Sequence, residues 1–268
     1  VSPEEKQELA VMLEEWRGRT FEDLTATQYT EKELEAIEVG VMTKGVAKQS
    51  TMAMNPDYPE IVKRGYRFYV DECKQKLADL EKEEMTIEKM NQKYTWQAMI
   101  IAMEAVITFA HRYADLAEKM AAECKDEKRK AELLTMAADC RIVPEYPAQT
   151  FQQVLQLILL THCTIMIENN GYHHPIGRLD QYLYPFYQKA LAEGQTEEFL
   201  SDLIHEFKIR FEEMWYLRSA GEAEAYPGCA LYMHIVLGGM KPDGSDACNE
   251  LTRLILRGMD NLQTKEPC

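Results

Sequence analysis

Long apolar runs, basic charge and paired cysteines are all scarce in this sequence, and each shortage excludes a class of protein. No run approaches the roughly 18–20 apolar residues that a bilayer-spanning helix needs. Thirty basic residues stand against 45 acidic ones, and the net charge of −15 disfavours nucleic acid and anionic membranes as partners. Membrane-spanning and nucleic-acid-binding proteins are therefore not expected.

The cysteines and histidines offer no obvious ligand set. The seven cysteines are scattered without a C-x-x-C pair, which favours free thiols in a reducing cytoplasm over disulfides or a zinc site. His173 and His174 are adjacent, so their side chains diverge, and no third ligand stands at a suitable spacing. The P-loop, dinucleotide-binding and H-E-x-x-H motifs are absent. We therefore expect no bound metal and no bound organic cofactor.

Helical signals are what the sequence has in abundance. Ser2 with Glu5 and Thr30 with Glu33 form capping boxes, and an apolar stretch at 148–167 predicts a buried helix. The clearest strand is 230–237, ended by two glycines. We predict helices at 3–17, 31–42, 59–84, 95–123, 126–140, 148–167, 179–193 with an interruption at Pro185, and 197–217, with loops at 45–57 and 168–178 and a last helix, capped by Ser245 or Asp246, that ends at Asp260.

One glutamate stands out on the long helix that begins near residue 95. Glu104 follows Ile100 by four residues and precedes Ile107 by three, so it shares their apolar face. Trp96 and His111 lie about 80° and about 20° from the direction of Glu104 around the helix, so all three could face one cavity. A carboxylate on a buried face must be paired, protonated or in use. The alternative is a core helix whose acid pairs with an arginine or lysine of a neighbouring element.

A second candidate lies at the end of the helix predicted at 197–217. Arg218 and Ser219 place a guanidinium and a hydroxyl there, which could hold a carboxylate or hydroxyl ligand. Helix capping is the alternative role for both residues.

Four stretches carry a resemblance to a known family. They lie at 96–121, 129–157, 168–187 and 237–256, and they include G-R-L-D-Q-Y-L-Y-P and L-G-G-x-x-x-D-G-x-D-A-x-N-E-L. In combination these motifs resemble the glycyl radical enzyme superfamily, which includes pyruvate formate-lyase, glycerol dehydratase, hydroxyproline dehydratase and arylacetate decarboxylase types. The first ninety residues match more loosely.

The resemblance implies a fold and an organisation. The family fold is a ten-stranded α/β barrel wrapped by helices, so this segment should be mainly α with one or few strands. We expect residues 1–90 to form a helical N-terminal part and residues 91–268 to carry helices and the first barrel strand of one continuous, incomplete domain. The chain starts at Val1 and stops just past a helix, as an internal segment of a longer polypeptide would.

The resemblance also implies a chemistry. The family uses a backbone glycyl radical and a cysteine thiyl, and both lie well beyond the L-G-G segment. The thiyl cysteine and the radical glycine are therefore expected outside this chain, and the segment by itself should be inactive. A separate activating enzyme, using S-adenosylmethionine and an iron–sulfur cluster, would install the radical, and the enzyme would be a cytoplasmic homodimer.

Site residues and function follow from the matched positions. Trp96, Glu104 and Ser219 match substrate-facing positions, with His111 and Arg218 as possible pocket or supporting residues. A glutamate rather than an arginine on this helix favours a substrate with a hydroxyl or amine over pyruvate. R-S-A-G at 218–221 is similar to the decarboxylase branch, whereas E-V-G-V-M-T-K-G is similar to the hydroxyproline dehydratase branch. A non-catalytic helical module, or a decayed paralogue acting as an assembly partner, is the alternative to an enzyme.

Overall fold

Helices make up the regular structure, as the sequence predicted. The computed structural model describes residues 2–42, 54–169, 173–214, 224 and 233–262. Most of the loop predicted at 45–57 therefore lies outside the described residues. The described helices are α1 (Pro3–Trp16), α2 (Phe21–Ala26), α3 (Glu31–Glu38), α4 (Tyr58–Leu80), α5 (Ile87–Glu123), α6 (Glu127–Ile142), α7 (Phe151–Asn169), α8 (Leu179–Tyr182), α9 (Tyr184–Ala192), α10 (Glu197–Glu212) and α11 (Glu250–Leu262).

The first three helices are bounded by local signals. Ser2 and Thr30 form the predicted capping boxes, and Thr20 forms a third with Asp23 at the start of α2, a six-residue helix that the sequence did not predict. Helix α3 ends four residues earlier than predicted, because Gly40 turns the chain at φ +77°. None of these three helices buries a side chain.

Helix α4 is interrupted at Gly65, where φ is +69° and ψ is 164°. At this kink the N–H groups of Tyr66 and Arg67 donate to the carbonyl oxygens of Pro144 and Glu145, each at 2.9 Å. A Cβ on Gly65 would lie 2.4 Å from the Glu145 carbonyl oxygen. Glycine therefore lets the turn after α6 insert into the backbone of α4.

Helix α5 is longer than predicted. It begins at Ile87, where Thr86 accepts a hydrogen bond from the N–H of Lys89, and not near residue 95. The prediction relied on the apolar residues from Trp96 onwards and did not use Thr86 as an N-cap. The helix also runs across residue 90, where we predicted the boundary between the N-terminal part and the rest of the domain. That boundary stays a prediction. Alanines form one buried face of α5, against which α6 packs: Ala110, Ala114, Ala117 and Ala121.

The core is built around α7. Phe151, Val154, Leu157 and Ile158 are each no more than 1% exposed, which confirms the buried helix that the apolar stretch predicted. Residues of α4, α8, α9, α10 and α11 join them in one cluster. Although α7 is apolar, no helix of the described residues is long and apolar enough to cross a bilayer.

The strand predicted at 230–237 is not observed. Of that range the structure describes 233–237, where Ile235 makes one isolated parallel bridge with Gly177. Around this bridge the Ile176 N–H donates to the His234 carbonyl at 2.8 Å and the Val236 N–H donates to the Gly177 carbonyl at 2.9 Å. The described residues contain no named strand, and the barrel implied by the resemblance is not seen in them.

Of two predicted helix boundaries in the C-terminal part of the described residues, one is confirmed and one is wrong. The interruption predicted at Pro185 is present, because α8 ends at Tyr182 and the proline occupies the first turn of α9. The cap predicted for the last helix is wrong. Asn249 accepts the N–H of Thr252 at 3.0 Å and so starts α11, whereas Ser245 belongs to the preceding turn.

Candidate functional site

The face of α5 that carries the predicted site residues packs towards α4 and the turn after α6. Glu104 pairs with α4, and His111 approaches Glu145 of that turn. Trp96 is partly buried, and its ring lies 6.0 Å from the Lys76 ammonium on α4. Trp96 and Glu104 thus approach α4, and His111 approaches the turn after α6; that the three side chains face one cavity stays a prediction. Ser219 and Arg218 lie outside the described residues.

Glu104 is an ionised, half-exposed carboxylate, and both of its cationic neighbours approach the same oxygen, Oε1. Lys74 donates to its Oε1 at 2.7 Å, and the Arg67 Nη1 lies 3.8 Å from the same oxygen. The Lys74 hydrogen bond is the largest cause that lowers the pKa of Glu104. Its side chain is 44% exposed. Pairing with a lysine of a neighbouring helix was the alternative left open by the sequence, and this pair is present; the substrate-binding role stays a prediction.

Behind Glu104 lies a second carboxylate that is more deeply buried. Glu145, whose side chain is 10% exposed, receives both Nε and Nη2 of Arg67 on its Oε1, at 2.9 and 2.7 Å. His111 Nε2 lies 3.0 Å from the other oxygen, close enough for an ion pair but not aligned as a hydrogen bond. The Arg67–Glu145 bond raises the pKa of Arg67. Arg67 therefore bridges both carboxylates, and the Gly65 kink sets its position.

Two of the sequence motifs form one hydrogen-bonded unit. The buried Asp180 accepts the Gly238 N–H at 2.7 Å and the Thr252 hydroxyl at 2.5 Å on its Oδ2. Arg178 donates to the Gly238 carbonyl at 2.7 Å, and Gln181 donates to the Ala247 carbonyl at 2.9 Å. The G-R-L-D-Q motif thus fastens the L-G-G loop to the start of α11. Sequence reasoning gave these residues no role, although both motifs had been noted.

An open cleft of about 710 Å³ lies beside this unit. It is bounded by the start of α4 and by the bridged segments around Gly177 and Val236. The cleft is distinct from the Glu104 face, and it is lined by none of the three predicted site residues that the structure describes, Trp96, Glu104 and His111.

One C-x-E triplet occurs in the chain, at Cys248-Asn249-Glu250. No function was predicted for it from the sequence. The Cys248 thiol is exposed, and its hydrogen bond with Asp246 raises its pKa. Asn249 caps α11, and Glu250 accepts a hydrogen bond from the Tyr184 hydroxyl. The triplet is thus the start of a helix. That the thiyl cysteine lies outside this chain stays a prediction.

The histidines outside α5 belong to packing. His162 is fully buried, with Nδ1 3.4 Å from the Tyr58 hydroxyl and Nε2 3.0 Å from the Met233 sulfur. Burial lowers the pKa of His162 to about 3, so the ring is neutral. His174 accepts the Met54 N–H at 3.3 Å. Among the described residues no group of three or more His, Cys, Asp or Glu side chains is placed to hold a metal ion.

Comparisons with known proteins agree with the helical arrangement and with the two sequence motifs that Asp180 joins. The chain belongs to the pyruvate formate lyase-like family, whose model matches residues 1–268. It is 30% identical to the probable dehydratase YbiW of Escherichia coli, over 100% of this chain and 34% of that protein. It is 32% identical to the isethionate sulfite-lyase of Nitratidesulfovibrio vulgaris, over 96% of this chain and 32% of that enzyme.

A solved structure gives the same result in three dimensions. The glycerol-bound B12-independent glycerol dehydratase from Clostridium butyricum matches with a TM-score of 0.87 and 28% identity, over 99% of this chain and 34% of that one. The chain therefore spans about a third of the length of the relatives it matches.

Proposed function

We propose that this chain forms part of the substrate shell of a glycyl radical lyase of the dehydratase or decarboxylase type, which cleaves a C–O, C–N or C–C bond of a small polar molecule. The observation that supports this is the family match over all 268 residues, together with the similarity to a glycerol-bound dehydratase over 99% of the chain. We infer that the complete protein is a cytoplasmic homodimer and that the chain supplies a segment of its N-terminal half. The thiyl cysteine and the radical glycine belong to the rest of that protein.

Within this proposal Trp96, Glu104 and Ser219 contact the substrate, and His111 and Arg218 support them. Glu104 is the best-defined of these groups. Since the Lys74 hydrogen bond lowers its pKa, the carboxylate stays ionised at neutral pH and is a weak proton acceptor. Its role is therefore to accept a hydrogen bond from a donor group on the substrate.

The decisive test is activation of the complete protein without oxygen. An activating enzyme with S-adenosylmethionine and an iron–sulfur cluster is expected to produce the doublet of a glycyl radical, read by electron paramagnetic resonance. The same mixture without S-adenosylmethionine is the control. If no doublet forms under conditions that activate a relative, the enzyme proposal is wrong and the non-catalytic helical module is favoured.

Glu104→Gln is expected to lower kcat/KM of the activated protein about tenfold to a hundredfold. The amide keeps the shape but loses a charge-assisted hydrogen bond, which contributes about 1.5–3 kcal/mol. Thermal stability should change little, because the ion pair to Lys74 is half-exposed.

Glu118→Gln is the matched control for this change. Glu118 lies on the same helix, is 50% exposed and pairs with Arg141 of α6 at 3.1 Å. Equal activity losses in the two variants would mean that Glu104 serves only to pair with Lys74.

A further inference from the structure

The two oxygens of the Glu104 carboxylate are not equivalent. Lys74 and Arg67 both approach Oε1, at 2.7 and 3.8 Å. Among the described residues no hydrogen bond or ion pair reaches Oε2. The side chain is 44% exposed, so Oε2 is the oxygen from which a further donor can approach.

The charges around Oε2 are balanced. Glu104 is opposed by Lys74, and Glu145 is opposed by Arg67, so two carboxylates face two cations. Lys74 and Arg67 are the charged groups that act on Glu104, and both lower its pKa. An ammonium group approaching Oε2 therefore meets the repulsion of Lys74 as well as the attraction of the carboxylate.

A neutral hydroxyl does not have this disadvantage. It can donate to a charged oxygen and gain a charge-assisted hydrogen bond, while the nearby ammonium costs it no repulsion between net charges. An anionic substrate group has no donor for Oε2 and meets a carboxylate instead. The hydrogen-bonding capacity and the charge balance together select one class of group.

We propose that Lys74 is a specificity-determining residue, which fixes Glu104 by Oε1 so that Oε2 receives a neutral hydroxyl of the substrate and not an ammonium. This inference rests on the function proposed above and narrows its substrate to a hydroxyl-bearing molecule. Lys74 acts through Glu104, so it is a positioning residue and not a catalytic one.

The test compares two substrates that differ in one group. The complete, activated protein is given propane-1,2-diol or 1-amino-2-propanol, and KM and kcat are measured for each. The unchanged protein should prefer the diol. Lys74→Met should shift the ratio of the two kcat/KM values towards the amino alcohol by about a hundredfold to a thousandfold, mainly through KM. This is the size that Coulomb's law gives for one unit charge about 4–5 Å away at an effective dielectric constant of about 20.

Two further variants separate charge from structure. Lys74→Arg keeps the charge and should retain the preference for the diol. Lys63→Met is the matched control, because Lys63 is an exposed lysine on the same helix, 3.5 Å from Glu60, and it should leave the ratio unchanged.

The outcomes distinguish this inference from the function on which it rests. Absence of the glycyl doublet overturns the proposed function. A doublet with turnover of the amino alcohol but not the diol, or with turnover of neither, overturns the role of Lys74. So does a substrate ratio in Lys74→Met equal to that in Lys63→Met.

Discussion

Gly65→Ala is expected to destabilise the complete protein by about 2–6 kcal/mol. The added Cβ would meet backbone atoms of Glu145 and Tyr146 at 2.4–2.6 Å, and backbone cannot swing aside as a side chain can. Overpacking of a rigid site costs about 1–3 kcal/mol, and the backbone conformation at φ +69° and ψ 164°, which is almost restricted to glycine, costs a residue with a Cβ about 1–3 kcal/mol more. Thermal unfolding at one fixed scan rate measures the loss.

Gly194→Ala separates the two causes. Gly194 also has a positive φ, +92°, but nothing lies within 4 Å of an added Cβ. Only the conformational cost remains there, so the expected loss is about 1–2 kcal/mol. Equal losses in the two variants would show that the turn after α6 yields easily and that its insertion into α4 is not a rigid feature.

Asp180→Ala is expected to cost about 3–4 kcal/mol. The substitution removes two hydrogen bonds from a charged oxygen, and it leaves the Gly238 N–H and the Thr252 hydroxyl inside the molecule without an acceptor. Besides the lower unfolding temperature, amide hydrogen exchange should become faster in the loop at 237–248, because one of its bonds to α8 is lost while those from Arg178 and Gln181 remain.

Asp243→Ala is a close control for Asp180→Ala. Asp243 also accepts one backbone N–H and one hydroxyl, both from Ser245, at 3.0 and 2.7 Å, but it is exposed. Water can replace those bonds, so the expected cost is below about 1 kcal/mol. If Asp180→Ala cost as little stability as Asp243→Ala, water would be able to reach the Gly238 N–H and the Thr252 hydroxyl and replace the lost bonds.

Local signals predicted a large part of the fold. The capping boxes at Ser2 and Thr30 begin helices as predicted, and the unbroken apolar stretch is the buried helix α7. These features depend on residues three or four positions apart, which a single sequence contains. The predicted strand depends instead on a partner distant in sequence, which a single sequence does not show; in its described part, 233–237, one isolated bridge to Gly177 is present and no named strand.

The candidate site was predictable to a similar extent. The spacing on α5 placed Trp96, Glu104 and His111 on one face. Their partners could not be read from it, since Lys74 lies 30 residues from Glu104 and Arg67 lies 78 residues from Glu145. The kink at Gly65, which brings Arg67 to both carboxylates, leaves no pattern in the sequence beyond a glycine inside an otherwise helical run.

The length of α5 sets a limit on what a small molecule can touch. At about 1.5 Å of rise per residue, this 37-residue helix is about 55 Å long, and the 15 positions from Trp96 to His111 span about 22 Å. Trp96 and Glu104 are about 12 Å apart along the axis, and their side chains can converge on one molecule. A three-carbon substrate beside Trp96 is out of reach of His111. If the substrate lies beside Trp96 as proposed, His111 can act on it only through other residues, and Glu145 and Arg67 are the groups that lie between His111 and Glu104.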